Sequence, residues 1–227
     1  MRPRAVFFDL DDTLIDRAGA FSRYVDTLVS RYLSLLPEAR RAEAVVWMHE
    51  VDGRGGASRS AFCQQVTKAF PCLGLTPDAL WEDMASRLPL LVREDAGVCD
   101  WVASVARCRP VAVVSNGSAR VQRTKLARAG LAEVLPDVFL SGEVGASKPD
   151  ARIFEAALAH VGRSPEEVLH VGDDPERDVV GAARLGMATC WVSHGRPWPS
   201  ALPPPMFTVE CIPSRIDDIA GVLTRWT

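Results

Sequence analysis

Lysine is almost missing from this chain of 227 residues. Of its 26 basic residues only Lys68, Lys125 and Lys148 are lysine, and the other 23 are arginine. Against 29 acidic residues the formal net charge is -3. That balance excludes a generally basic nucleic-acid binder and a lysine-rich membrane patch. No apolar run approaches the roughly 20 residues that span a bilayer. The first apolar stretch, residues 4–8, stops at Asp9 and is too short for a signal segment, so a cytoplasmic protein with no membrane association is expected. The six cysteines form no C-x-x-C pair and no Cys/His grouping with zinc spacing. They are expected to be reduced, mostly buried thiols, with a Cys63–Cys72 bridge left open. What remains is a mix of 48% hydrophobic and 24% charged residues, that of an ordinary globular protein long enough for a sizeable core.

Short apolar runs punctuate the chain. Residues 4–8, 110–115, 137–141, 168–171 and 188–192 each read as a buried strand. Helical patterns follow several of them, over 118–129, 150–160 and 175–185, with Asp150 as an N-cap and Gly130 and Gly162 as stops. Ser164, Pro165 and Glu167 have the form of a capping box. This alternation predicts an α/β, Rossmann-like core, a parallel sheet with helices on both faces. Residues 16–93 differ. Phe21, Tyr24, Val25, Leu28, Val29, Tyr32, Leu35 and Leu36 recur at helical spacing, and further helices are expected over 38–51, 60–70 and 77–88. The excursion is too long for a crossover. It predicts an all-helical domain over 16–93, inserted into a core of 1–15 and 94–227. The five prolines of 196–205 predict a surface loop around Trp198.

Four short segments fall at the C-terminal ends of predicted strands, where a parallel sheet gathers its ligand-binding loops. They are Asp9-Leu10-Asp11-Asp12-Thr13, Ser115-Asn116-Gly117, Lys148-Pro149, and the run from Gly172 to Asp178. Asp9, Asp11, Asp12, Asp173, Asp174 and Asp178 bring six carboxylates against one nearby lysine. Like charges at that density call for a cation. Oxygen donors without His or Cys indicate Mg²⁺, which favours one or two carboxylates plus a phosphate.

These segments, in this order and with a helical block between the first two, resemble the four motifs of the haloacid dehalogenase-like superfamily. The resemblance covers essentially the whole chain. It implies that Asp9 is a nucleophile forming an aspartyl-phosphate and that Asp11 is the general acid and then the general base. Thr13 would hydrogen-bond near Asp11. Ser115, with the Asn116 and Gly117 backbone amides, would bind the phosphoryl group, and Lys148 would offset its charge. Mg²⁺ would be held by Asp9, the Asp11 carbonyl and Asp173, with Asp178 accepting from a metal-bound water. Asp174 would either share that task or cap the following helix, and Asp12 would be a turn residue.

The implied activity is Mg²⁺-dependent hydrolysis of a small phosphomonoester such as a nucleotide, sugar or acylsugar phosphate. A haloacid dehalogenase or a phosphomutase on the same fold is the alternative. The helical insertion would be a cap reaching over the site, with Arg54, in the Gly53–Gly56 turn, a candidate contact for a second anionic group. His170 is expected as a core or strand-end residue, and Lys68 and Lys125 as solvated helix residues.

Overall fold

The computed structural model describes residues 3–34 and 36–210. The chain divides into two compact units, one of residues 1–16 and 94–227, the other of Arg17–Arg93.

The first unit is built on a six-stranded parallel sheet. Its strands are β1 (Ala5–Phe8), β2 (Val111–Ser115), β3 (Val138–Leu140), β4 (Val168–Gly172), β5 (Ala188–Val192) and β6 (Phe207–Val209), in the order β3-β2-β1-β4-β5-β6. Strand order reverses at β1, which pairs with β2 on one side and β4 on the other. In a doubly wound sheet that reversal opens a crevice beyond the strand ends. β1, β2, β4 and β5 are buried along their whole length, which requires cover on both faces and explains why they are unbroken apolar runs rather than alternating ones.

The second unit contains α1 (Arg17–Tyr32), α2 (Glu38–Asp52), α3 (Arg59–Ala69) and α4 (Pro77–Arg87). The periodic residues Phe21, Tyr24, Val25, Leu28 and Val29 of α1 are all buried; Leu35 lies outside the described residues. Ser58 caps α3 and Thr76 caps α4, where Pro77 occupies a first-turn position that needs no amide donor. Arg17 makes two hydrogen bonds to the Asp52 carboxylate, which also accepts from the Gly55 amide and so anchors the turn after α2.

Back in the first unit, α5 (Ala96–Ala106), α6 (Ala119–Arg128), α7 (Ser141–Val144), α8 (Ala151–Val161) and α9 (Gly181–Ala183) complete the described helices. Ile153, Phe154, Ala157 and Leu158 of α8 and Ala182 of α9 pack on Ala5, Phe7, Ala112, Val114 and Val168 on one face of the sheet. On the other face, Trp101 of α5 meets Phe8 edge-on at 5.7 Å between ring centres. The α/β core with helices on both faces is therefore present as the sequence predicts.

Two details differ. A sixth strand, β6, follows the proline-rich loop. The helix expected over 175–185 is a π-helical turn, Pro175–Val180, running into α9, a wide turn of the kind found at functional sites. Cys63, Cys72, Cys99, Cys108 and Cys190 are free thiols, and Cys211 lies outside the described residues. Among the described residues no helix is long and apolar enough to cross a membrane.

Candidate active site

The residues that end β1, β2 and β4 meet at the crevice. Asp9 directly follows β1, and its amide donates to the Val171 carbonyl of β4 at 2.8 Å. The next residues turn sharply. Asp12 has φ +56°, a left-handed conformation that Asp tolerates better than most residues, and its amide donates to Ile15 O at 2.9 Å. It is the turn residue that the sequence predicts. Lys148, in the loop between α7 and α8, is buried. Its ammonium donates to Asp9 Oδ1 and to Asp178 Oδ1, each at 2.6 Å. Asn116 fixes that loop with both ends of its side-chain amide: Oδ1 accepts from Lys148 N at 2.8 Å and Nδ2 donates to Lys148 O at 3.0 Å.

Asp178 is delivered by the π-helical turn. Asp174 caps that turn, its carboxylate accepting from the Glu176 and Arg177 amides at 2.9 and 2.8 Å. Of the two roles open to Asp174, the cap is the one formed. Its own amide donates to Asp178 Oδ2 at 3.0 Å. His170 Nε2 reaches Asp178 Oδ1 at 3.2 Å, and because the carboxylate is the acceptor this nitrogen carries the proton. At Gly172 a Cβ would overlap the Asp178 side chain, so glycine is what lets that carboxylate come in under β4.

The Lys148 ammonium serves two carboxylates, and Arg196 meets a third, Asp173. Asp9, Asp173 and Asp178 each offer an oxygen, and these oxygens lie within 4.8 Å of one another. Burial, partly countered by Lys148 and reinforced by Asp178, pushes the Asp9 carboxyl up to about 7. Burial and the charges of Asp9 and Asp178 push Asp173 up to about 8, although Arg196 pulls the other way. Burial opposes the charge on Asp178 as well, but Lys148 and His170 outweigh it and hold that carboxyl well below its usual range. Burial also works against the Lys148 charge, and Asp178 and Asp9 overcome it and raise its pKa. Burial lowers the pKa of His170, keeping the ring neutral. The site therefore carries more potential negative charge than Lys148 neutralises. Its donors are all hard oxygens, which fits a divalent cation of the Mg²⁺ type.

The opposite side of the site is made by α6. Gln122 and Lys125, one turn apart on the same helix face, are both buried. Lys125 Nζ donates to both oxygens of Asp11 at 2.6 and 2.7 Å, and Gln122 Nε2 donates to Asp11 Oδ2 at 3.0 Å and to Ser115 Oγ at 2.8 Å. The expectation of a solvated Lys125 is wrong. The burial of Val121 and Leu126 shows that the inward stripe of α6 takes in 122 and 125, a signal the apolar spacing held.

The segment after β5 closes a third side. Arg196 donates to the Asp173 carbonyl at 2.7 Å and to its carboxylate at 3.0 Å, while Trp191 Nε1 donates to the same carbonyl at 2.9 Å. His194, itself at φ +51°, donates from Nε2 to Asp12 O at 2.6 Å. Neither Arg196 nor His194 stands in a recognisable motif.

Two sequence expectations meet different surroundings, and the place of Arg54 is the expected one. Thr13 Oγ1 is buried and makes no hydrogen bond among the described residues, to Asp11 or otherwise. The Gly117 amide is directed to Ser141 Oγ at 2.9 Å rather than left for a ligand, because Ser141 follows β3 directly and lies beside the β2 turn. Arg54 belongs to the helical unit, where it is exposed at φ +56° in the turn Gly53–Gly55.

The family model of haloacid dehalogenase-like hydrolases matches residues 3–186. The chain belongs to this family. Among curated relatives of this hydrolase, a phosphoserine phosphatase of Thermus thermophilus is 47% identical over 85 residues, 37% of this chain and 34% of that protein. The chain thus matches about a third of that relative's length. The pyrimidine 5'-nucleotidase YjjG of Escherichia coli is 27% identical over 206 residues, 88% of this chain and 90% of the relative. Among solved structures, the HAD hydrolase YfnB of Bacillus subtilis bound to magnesium matches with a TM-score of 0.75 at 20% identity, covering 99% of this chain and 100% of that one. A 2-haloacid dehalogenase of Pseudomonas syringae matches with a TM-score of 0.66 at 24% identity over 99% of this chain and 100% of the other. These two likenesses describe the fold.

Proposed function

We propose that this hydrolase is a Mg²⁺-dependent cytoplasmic phosphatase acting on a small phosphomonoester through an aspartyl-phosphate. The observation that carries the reading is the buried Lys148 ammonium shared between Asp9 and Asp178, with the Asp173 carboxylate completing an oxygen cluster. A dehalogenase of this fold needs no metal and no acid two residues after its nucleophile, so the Asp173 and Asp178 carboxylates beside Asp9, together with Asp11, favour phosphoryl transfer.

In the proposed cycle an Asp9 oxygen attacks phosphorus. The bond from phosphorus to the leaving oxygen breaks with its electron pair, and that oxygen takes a proton from Asp11. In the second half, water attacks the aspartyl-phosphate and gives its proton to the Asp11 carboxylate. The phosphorus–Asp9 bond breaks, releasing inorganic phosphate and restoring both aspartates. The Ser115 hydroxyl donates to a phosphoryl oxygen, and Lys148 offsets charge on the nucleophile and the phosphoryl group. The Asp9 and Asp173 carboxylates and the Asp11 carbonyl would hold Mg²⁺, with Asp178 accepting from its water. The ion supplies the positive charge that lets an anionic carboxylate approach an anionic phosphate.

The names of the relatives point to small phosphorylated metabolites. A nucleotidase, a phosphoserine phosphatase and N-acylneuraminate-9-phosphatases are among them. The substrate is therefore proposed to be a nucleotide, sugar, acylsugar or similar phosphate. The helical unit is proposed to be the cap that selects it, with Arg54 reading a second anionic group.

Phosphate release from p-nitrophenyl phosphate with Mg²⁺, abolished by EDTA, is the expected result. Halide release from a 2-haloacid without metal, and no phosphate release, would instead support the dehalogenase reading. An isomerised sugar phosphate in place of free phosphate would support the mutase.

A further inference from the structure

The chemistry proposed above leaves Gln122 and Lys125 without a task, yet both are buried and both reach groups that it uses. We infer that they are positioning residues: Lys125 sets the placement of the Asp11 carboxylate, and Gln122 sets the direction of the Ser115 hydroxyl proton. This inference rests on the phosphatase reading of the site.

Gln122 is fixed by its donors and acceptors. Its side chain is fully buried. Turned the other way, its oxygen would face Asp11 Oδ2 at 3.0 Å, two acceptors in contact. The carboxylate therefore decides the orientation of the amide. Nε2 carries two protons. Its two short contacts, Asp11 Oδ2 at 3.0 Å and Ser115 Oγ at 2.8 Å, take both, and Asn116 O is more distant at 3.4 Å. Ser115 Oγ is thereby made an acceptor from Gln122, which leaves its own proton for another acceptor. In the proposed cycle that acceptor is a phosphoryl oxygen. Gln122 Oε1 is buried with no hydrogen-bond partner in the described structure. The amide forgoes a hydrogen bond there in order to serve its two acceptors on the other side.

Lys125 is held in place at a cost. The buried Lys125 ammonium loses several kcal/mol of hydration, and a single, partly exposed carboxylate is a poor device for recovering it as stability alone. Its return is geometric. Two short contacts, 2.6 and 2.7 Å, define the plane of the Asp11 carboxyl group, and Gln122 adds a third. The Asp11 side chain is about a quarter exposed while that of Lys125 is 4% exposed. The aspartate thus faces the open side of the site and the lysine stands behind it. Both positioning residues project from one face of α6, so a single helix face holds the Asp11 carboxylate and the Ser115 hydroxyl.

General acid help matters only when the leaving oxygen is basic. Wild-type protein should first be shown to release phosphate from both an alkyl phosphate, glycerol phosphate, and 2,4-dinitrophenyl phosphate, whose leaving group needs no proton. That result is what the phosphatase reading requires, and its absence would sink that reading. The comparison of kcat/KM values, which report phosphoryl transfer to Asp9, then tests Lys125 separately. Lys125→Met is expected to lower kcat/KM about 100-fold for the alkyl ester and less than about 3-fold for the dinitrophenyl ester. Lys125→Arg should recover part of the alkyl value. Gln122→Leu, which also loses the Ser115 contact, should lower both esters, the alkyl one about 10-fold more. Equal losses on the two esters in Lys125→Met, or none, overturn the inference. Should Lys125→Met fail to fold, as read from its circular dichroism, the ester ratio in Gln122→Leu decides, and a ratio equal to that of wild type overturns it.

Discussion

Lys148 and Lys125 are both buried, and each ammonium lies 2.6 Å from an aspartate of the same loop. Their surroundings differ. Lys148 sits among several carboxylates that burial and mutual repulsion have made hard to ionise together. Its charge is divided between Asp9 and Asp178. Lys125 meets Asp11 with two contacts, and the Gln122 amide shares that carboxylate with it. Lys148 therefore acts on the charge balance of the site, while Lys125 acts on the placement of one group. Two lysines of equal burial and equal contact distance are expected to fail in different ways.

The comparison is tested hardest at Asp9. Asp9→Asn keeps the shape of the side chain but removes the proposed nucleophile and one of the two anions that Lys148 serves. Phosphate release should fall below detection, while circular dichroism and the unfolding midpoint remain close to wild type. Near-normal turnover would break the assignment of the Lys148 side as the reacting side. Next comes Lys148→Arg. An arginine keeps the charge, but a planar guanidinium does not replace a compact ammonium between two oxygens 2.6 Å away. A loss of about 100-fold or more in kcat is expected, on alkyl and dinitrophenyl esters alike. That uniform loss, set against the selective loss in Lys125→Met, is the sharpest form of the contrast.

Gly172→Ala probes the packing beneath Lys148. The added methyl group would overlap the Asp178 side chain. That side chain is held by Lys148, His170 and the Asp174 amide, so it has little room to yield. Overpacking should cost about 1–3 kcal/mol, seen as a lowered denaturation midpoint. Turnover should fall as well, because displaced Asp178 pulls Lys148 with it. A variant with wild-type stability would mean that the Asp178 cradle is softer than its hydrogen bonds imply.

How much of this was legible follows from the same pair. Strands β1, β2, β4 and β5 were legible because burial on both faces demands unbroken apolar runs, and three of the four functional segments directly follow such runs. Lys148 was legible because the resemblance to the haloacid dehalogenase-like motifs supplied its place, while charge counting called for a metal cation beside it. Lys125 was not, because a lysine in a helix is most often solvated and its partner stands 114 residues away in the chain. The inward stripe of Val121 and Leu126 did carry the signal. Gln122 was still harder to see, since a neutral amide leaves no charge to balance. Arg196 and His194 act from a loop whose prolines announced only irregular backbone. The turn that carries Arg54 was legible from its glycines, whereas the Arg17–Asp52 pair that anchors it was not.

The smallest effect belongs to the third lysine. Lys68 stands near the end of α3 with its side chain in solvent, and no ion pair of this residue occurs among the described residues. A charge near a helix C-terminus interacts favourably with the helix dipole by about 0.3–1 kcal/mol at most, and an arginine supplies the same charge. Lys68→Arg should therefore leave kcat/KM for both esters and the unfolding midpoint within measurement error. The substitution matches that at Lys148 in chemistry and differs from it in burial and partners. A marked loss at Lys68 would mean that lysine as a residue type, rather than the carboxylate surroundings of Lys148, is what arginine fails to replace in this chain.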